Sequence, residues 1–174
     1  PENPSQHIID MSENEIEVPE DYTREELRQD LLCYTSPVLK EDLVLTGDMT
    51  AELYISSDAP DTDFVVRVTD VDENGRSIKL ADGLLSARYR NGFARSEFLQ
   101  EGEIVCLKIR TTKLSNCFRK GHRIRVTVTS SAKNFIFPNS NTREGFASAR
   151  TVVAHNRVYH GGLHASRLTV RVEP

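Results

Sequence analysis

The feature that most constrains the fold is an alternation of apolar and polar side chains within residues 43–71. Apolar side chains occupy every second position over Met49–Ile55 and again over Phe64–Val68. Because successive side chains of a strand leave opposite faces, this period of two predicts two half-buried strands. The segment between them, Asp58–Asp63, contains a proline and three aspartates, which is the chemistry of a chain reversal. We therefore predict that the two strands form a hairpin.

The same alternation recurs along the rest of the chain. It is clearest over Arg123–Thr129, and Asn74-Gly75 is typical of a hairpin turn. The gaps between strands are too short for helical crossovers, which favours antiparallel sheets. The pattern therefore predicts an all-β fold, a jelly-roll β-sandwich. Further predicted strands lie at 31–35, 77–81, 85–89, 105–110 and 167–172, with weaker candidates at 151–154 and 157–160.

The core of this predicted sandwich follows from the apolar side of each alternating strand. We predict that it contains Leu53, Ile55, Val66, Val68, Leu107, Ile109, Ile124, Val126, Val128, Leu168 and Val170.

The N-terminal part has a different character. Residues 1–22 are polar, proline-containing and acidic, which predicts an extended linker before a domain at 23–174. Thr23–Gln29 is predicted to form a short helix, with Thr23 as N-cap and Glu26 completing a capping box.

Composition excludes several classes of function. A net charge of −4 argues against general affinity for nucleic acid or anionic membranes. No apolar run approaches the roughly 20 residues of a membrane span, and the N-terminus lacks the pattern of a signal peptide. Cys33, Cys106 and Cys117 are widely spaced and odd in number, which favours free thiols in a reducing cytoplasm. No cofactor is expected.

No motif for hydrolytic chemistry occurs in this chain. A serine nucleophile of an α/β-hydrolase sits in a G-x-S-x-G turn, and no serine here has that context. His155, His160 and His164 allow a zinc site in principle, but a polar loop is favoured because Gly161-Gly162 interrupts any helix.

Two charged clusters also have structural explanations. The aspartates of Asp58–Asp63 could hold calcium, but hydrogen-bonded turn residues are favoured because no EF-hand spacing follows. The basic residues of Arg119–Arg125 are predicted to form a solvated strand face, since no aromatic residues for base stacking accompany them.

Several ordered motifs resemble the C-terminal domain of the X-Pro dipeptidyl-peptidase and cocaine esterase (CocE/NonD) family of serine hydrolases. Departures occur in loops: the chain has Gln6–Ile9 where the family often has Gly-Gly, Phe135–Pro138 where it often has F-P-R, and Arg143-Glu144 in place of a glycine. The matching segments are Pro1–Pro4, Glu26–Ser36, Leu43–Val71, Asp82-Gly83, Arg88–Arg90, Ser115–Phe118, Gly121–Val126, Asn139–Thr142 and His155–His160.

The resemblance implies a galactose-binding-domain-like jelly roll that follows an N-terminal α/β-hydrolase domain. That preceding domain would hold the serine, aspartate and histidine, and the parent would cleave an ester or amide. Parents of this type include X-Pro dipeptidyl-peptidases, cocaine-esterase-like esterases, α-amino-acid ester hydrolases and cephalosporin acylases. The present chain would be non-catalytic, cover the catalytic domain, shape its substrate cleft and support a homodimer contact.

The alternative is a free-standing carbohydrate-binding module, which the absence of tryptophan disfavours.

The surface facing the catalytic domain is predicted from apolar residues in otherwise polar stretches, since an apolar patch marks an interface. The N-x-N-T motif adds two asparagines to this surface. The candidate interface or substrate-cleft residues are Ile8, Ile9, Met11, Phe135, Ile136, Phe137, Asn139 and Asn141.

Overall fold

A computed structural model describes residues 20–132 and 136–172, apart from the side chain of Phe146. Short 3₁₀ turns occur at Glu25–Leu27, Ala87–Tyr89 and Gly145–Ala147. The strands of the described residues are β1 (Leu32–Thr35), β2 (Leu43–Gly47), β3 (Thr50–Ser56), β4 (Asp63–Val71), β5 (Ser77–Ser86), β6 (Val105–Arg110), β7 (Leu114–Phe118), β8 (Arg123–Thr129), β9 (Arg157–Gly161), β10 (His164–Ala165) and β11 (Arg167–Thr169).

These strands form antiparallel sheets around a shared core. One sheet has the order β1-β8-β4-β5, and the second has the order β10-β9-β3-β11 with β6 also paired to β3. A two-stranded sheet of β2 and β7 completes the pairing. Residues of both larger sheets share one apolar cluster, so the predicted all-β fold is confirmed as a β-sandwich.

The predicted core residues lie where the alternation places them. Most are buried, and four partly buried ones pack against the buried cluster: Ile124, Val126, Leu168 and Val170. Burial of these alternating faces is what holds the two sheets together.

The residues of strand β4 do not alternate between buried and exposed, because both faces of the strand are covered. Val65 and Thr69 point away from the main core, yet each is 0% exposed. Residues 20–26 lie over this outer face, where the ring of Tyr22 stacks on the guanidinium of Arg67 at 3.7 Å. Tyr22 also donates its main-chain N–H to the carbonyl of Ser77 in β5. The outer face is therefore a second buried layer.

The predicted hairpin at Asp58–Asp63 is wrong. Strands β3 and β4 belong to different sheets, so this segment crosses from one layer of the sandwich to the other. The physical reason is that Asp61 and Asp63 are buried and bind partners elsewhere in the fold, rather than closing a tight turn.

The predicted helix at Thr23–Gln29 is reduced to a single 3₁₀ turn with no side-chain cap. Thr23 donates its hydroxyl to Asp21. The Glu26 carboxylate, which was predicted to cap the helix, instead accepts hydrogen bonds from Arg125, Thr69 and Ser77. Tertiary partners thus outcompete the local capping box.

Other strand predictions differ in detail. Residues 151–154 form no strand, whereas 157–160 fall within β9. Strand β7 was not predicted, because Leu114–Phe118 lacks a clean alternation.

Gly83 occupies the point where β5 approaches the other layer. A Cβ at this position would lie 2.6 Å from the carbonyl oxygen of Arg110, a backbone atom that cannot move aside easily. We expect Gly83→Ala to lower the free energy of unfolding by about 1–3 kcal/mol through overpacking. Chemical denaturation measures this loss.

The matched control is Gly161→Ala, because a Cβ at Gly161 would have no atom within 4 Å. We expect the control to change stability by less than about 0.5 kcal/mol. Equal effects of the two substitutions would contradict the close approach of β5 and β6.

Candidate domain interface and cleft

A cleft of about 680 Å³ opens between the N-terminal end of β1 and the loops that follow β8. Its walls combine apolar side chains with hydroxyl and amide groups, the mixture that is typical of binding clefts. The lining residues that matter below are Leu32, Val128, Asn139, Asn141, Val153 and Asn156.

A buried ion pair supports the loops beside this cleft. Asp61 is 1% exposed, and its carboxylate accepts hydrogen bonds from both the Nε of Arg88 at 2.7 Å and the main-chain N–H of Arg88 at 2.9 Å. Asn139 donates its side-chain amide to Asp61 and to Asp63, each at 2.8 Å. Two buried carboxylates thus have hydrogen-bonded partners, which their burial requires.

The Arg88 side chain extends this hydrogen-bond network to the loop at Thr142. Its guanidinium donates to the carbonyl of Thr142 at 2.8 Å and lies 5.1 Å from the ring centroid of Phe98. Three sequence motifs that are far apart in the chain therefore meet at one point: the acidic segment 58–63, Arg88–Arg90 and Asn139–Thr142. Their function here is to fix the shape of the loops around the cleft.

Asn139 and Asn141, both predicted as site residues, form hydrogen bonds to each other and to neighbouring segments. Asn139 accepts a hydrogen bond from the main-chain N–H of Asn141 at 2.9 Å. Asn141 has a φ of 59°, a left-handed conformation that asparagine tolerates better than most residues, and donates to the carbonyl of Val152 at 2.7 Å. Both line the cleft, and both also hold the loop in place.

Asp58 positions a histidine at the rim of the cleft. It accepts the main-chain N–H of His155 at 2.8 Å, and its other oxygen lies 2.6 Å from Nδ1 of the same residue. These two contacts, the main-chain bond first, hold the pKa of Asp58 below its usual range. The His155 side chain is 79% exposed.

The three histidines have separate partners. His160 contacts the hydroxyl of Tyr34 at 2.7 Å, and His164 packs against the ring of Tyr54. Within residues 20–132 and 136–172, no three side chains of His, Cys, Asp or Glu form a group that could hold a metal ion.

The apolar site candidates divide into two groups. Ile136 is partly buried, and Phe137 is 62% exposed beside the cleft lining at Pro138. Ile8, Ile9, Met11 and Phe135 lie outside the described residues.

Sequence reasoning missed one part of this surface. Val152 and Val153 are 44% and 77% exposed, and both line the cleft. The sequence assigns both to the weak strand candidate at 151–154, and a half-buried strand would bury one of two adjacent valines. Adjacent valines outside any regular strand are the feature that could have identified them.

Fold and site together define a β-sandwich domain whose loops are joined by hydrogen bonds around a cleft. Comparison with known proteins gives the family. Residues 6–169 match the model of the X-Pro dipeptidyl-peptidase C-terminal non-catalytic domain. The chain belongs to this family.

Relatives and solved structures agree with this assignment. The chain is 37% identical over 150 residues to the cocaine esterase of Rhodococcus sp. (strain MB1 Bresler), covering 83% of this chain and 26% of that esterase. An aminopeptidase from the marine sediment archaeon Thaumarchaeota archaeon superposes with a TM-score of 0.85 at 25% identity, covering 90% of this chain and 28% of that one. A selenomethionine-labelled α-amino acid ester hydrolase, at 24% identity and a TM-score of 0.84, shares the fold over 89% of this chain and 27% of that one.

The chain therefore corresponds to about a quarter of each of these proteins, and it is a non-catalytic C-terminal domain of the X-Pro dipeptidyl-peptidase and CocE type. Among the described residues, no helix has the length and apolar character needed to cross a membrane.

Proposed function

We propose that this domain follows an N-terminal α/β-hydrolase domain in a serine hydrolase and shapes the substrate cleft of that enzyme. The observation that carries the proposal is a group of exposed apolar side chains at or beside the cleft, next to the loops that the Arg88–Asp61 pair holds together. They are Leu32 of β1 and the loop residues Phe137, Val152 and Val153. Apolar groups clustered on one surface are typical of an interface.

The lack of a nucleophile motif in this chain supports the same proposal. The sequence has no G-x-S-x-G turn, so the nucleophile, its base and the orienting acid would all come from the other domain. The contribution of this domain would be to exclude water and orient the substrate, and both depend on precise loop positions. The substrate of the enzyme would be an acyl ester or an X-Pro amide.

The compartment is inferred from the thiols. Cys33, Cys106 and Cys117 are all free, which supports a reducing cytoplasm for the enzyme.

Substitution at the cleft tests the proposal in the full-length enzyme. We expect Val153→Ser and Phe137→Ala to raise KM for an ester or X-Pro substrate by about threefold to tenfold, with this domain still folded, because each removes apolar contact area at an interface. Steady-state kinetics and the thermal unfolding of each variant give the measurement. Ile9→Ala, in the N-terminal segment, is expected to act in the same way.

The control is Leu163→Ser, at a side chain that is 91% exposed in the turn between β9 and β10 and does not line the cleft. Its kinetics should match those of the unmodified enzyme. If the cleft variants and the control all retain unmodified kinetics and stability, the interface lies elsewhere.

A further inference from the structure

A second cavity, of about 290 Å³, lies where β3 ends and the chain starts to cross to the other sheet. Ser56 and Ser57 form its most buried part, at 2% and 3% exposed. His155 lines both this cavity and the cleft, so the two are neighbours. We call it the small cavity. Its volume lies near the lower end of known ligand pockets, which suits a small molecule.

The walls of the small cavity belong to strands on opposite sides of β3. Tyr54 and Ile55 of β3 pair with both β6 and β9, so these two strands flank β3. On one side, Gly102 donates its N–H to the carbonyl of Ser57 at 3.2 Å. On the other side, β9 begins with Arg157 in register with Ser56. Neighbouring strands are about 4.8 Å apart, so the main chains of the two walls are about 10 Å apart.

The two walls carry charges of opposite sign. Glu101, in the turn before β6, and Arg157, at the start of β9, both line the small cavity and are both exposed. Among the described residues, neither of them forms an ion pair. The other two titratable groups of the lining, Asp58 and His155, are bonded to each other at 2.6 Å. One carboxylate and one guanidinium are therefore available to a ligand in the same cavity.

This pair of charges selects the kind of ligand. An ion with a single charge would be attracted by one wall and repelled by the other. A molecule with both an ammonium and a carboxylate satisfies both walls, because a guanidinium can donate two parallel hydrogen bonds to a carboxylate. An extended chain spans about 3.5 Å per residue, so the terminal charges of a dipeptide lie about 7 Å apart. That separation fits between the two walls.

We propose that the small cavity binds a short zwitterionic peptide of about two residues with both termini free. Its terminal carboxylate pairs with Arg157, and its terminal ammonium pairs with Glu101. This inference does not depend on the proposed hydrolase function, because it uses only groups of this chain and none of the apolar residues assigned to the domain interface.

Titration of the 174-residue chain with diglycine tests the proposal. The proton NMR signal of the His155 imidazole, identified by its loss in His155→Gln, should shift and saturate in the unmodified chain. We expect Arg157→Gln and Glu101→Gln each to raise the Kd of diglycine by about fivefold, since each removes one exposed charge pair. Acetate and methylammonium, which carry one charge each, should shift the signal much less at equal concentration.

Glu103→Gln and Arg150→Gln are the matched controls. They make the same two changes in net charge at exposed residues that do not line the small cavity. Distant exposed charges are screened by salt, so the Kd of diglycine should change by less than about twofold in both controls. Thermal unfolding of all four variants checks that each remains folded.

Three results would overturn the inference. The first is an unmodified chain whose His155 signal shows no saturable shift with diglycine. The second is acetate or methylammonium binding as tightly as diglycine, which would mean that the cavity recognises one charge only. The third is an equal loss of diglycine affinity in the cavity variants and the controls, which would assign the effect to net charge.

Discussion

Arg88→Ala should lower the free energy of unfolding by about 3–5 kcal/mol, because it leaves the Asp61 carboxylate buried without its cation. Asp61 is 1% exposed; the substitution removes the Nε hydrogen bond and the positive charge, and leaves only the main-chain N–H of residue 88 and the amide of Asn139 as donors. The loop at Thr142 also loses the guanidinium that holds its carbonyl. Denaturant titration of the variant measures the loss, and amide exchange of residues 139–143 should rise with it.

The control for this prediction is Arg95→Ala. Arg95 pairs with Glu97 at the surface, and its side chain is 83% exposed. Exposed pairs contribute about 0–1 kcal/mol, so this variant should be nearly as stable as the unmodified chain. A comparable loss in both variants would show that the Asp61 network does not support the loops.

Phe64→Ala should cost about 3–5 kcal/mol, since it deletes a large aromatic side chain from the shared core. Phe64 is 1% exposed, lies in β4 and belongs to the apolar cluster that both larger sheets form. Its removal leaves a cavity that rigid strands on either side cannot fill. Chemical denaturation followed by far-UV circular dichroism gives the measurement.

Phe93→Ala provides the same chemical change at the surface. Phe93 is 79% exposed and contacts the ring of Tyr89 at a centroid distance of 5.5 Å. We expect a loss below about 1 kcal/mol, the value of one aromatic pair. If Phe64→Ala is as mild as this control, the core is not organised around β4.

The sequence by itself determined the all-β class, the strands with clean alternation and the main apolar faces of this protein. Strand alternation depends only on the geometry of the extended backbone, so β3 and β8 and their buried residues could be predicted without knowing any partner. The ordered motifs also placed the chain in its family, since they require no structural information.

Pairing between strands could be decided only by the tertiary structure. The acidic segment 58–63 has the composition of a turn, yet whether a turn joins neighbouring strands or crosses between layers depends on contacts with distant residues. Asp61 binds Arg88, which lies 27 positions away, and Asn139, which lies 78 positions away. No local pattern carries that information.

The helix prediction failed for the same physical reason. A capping box is worth about 1 kcal/mol, which is less than the Glu26 carboxylate gains from a buried place with hydrogen-bonded partners on β4, β5 and β8. The cleft could not be predicted from periodicity either, because its apolar wall includes Val152 and Val153, which lie outside any helix or strand. Periodicity therefore determined the clearly alternating strands and most of the core residues of this protein. The layer crossing, the buried Arg88–Asp61 pair and the cleft depend on contacts between residues that only the folded chain brings together.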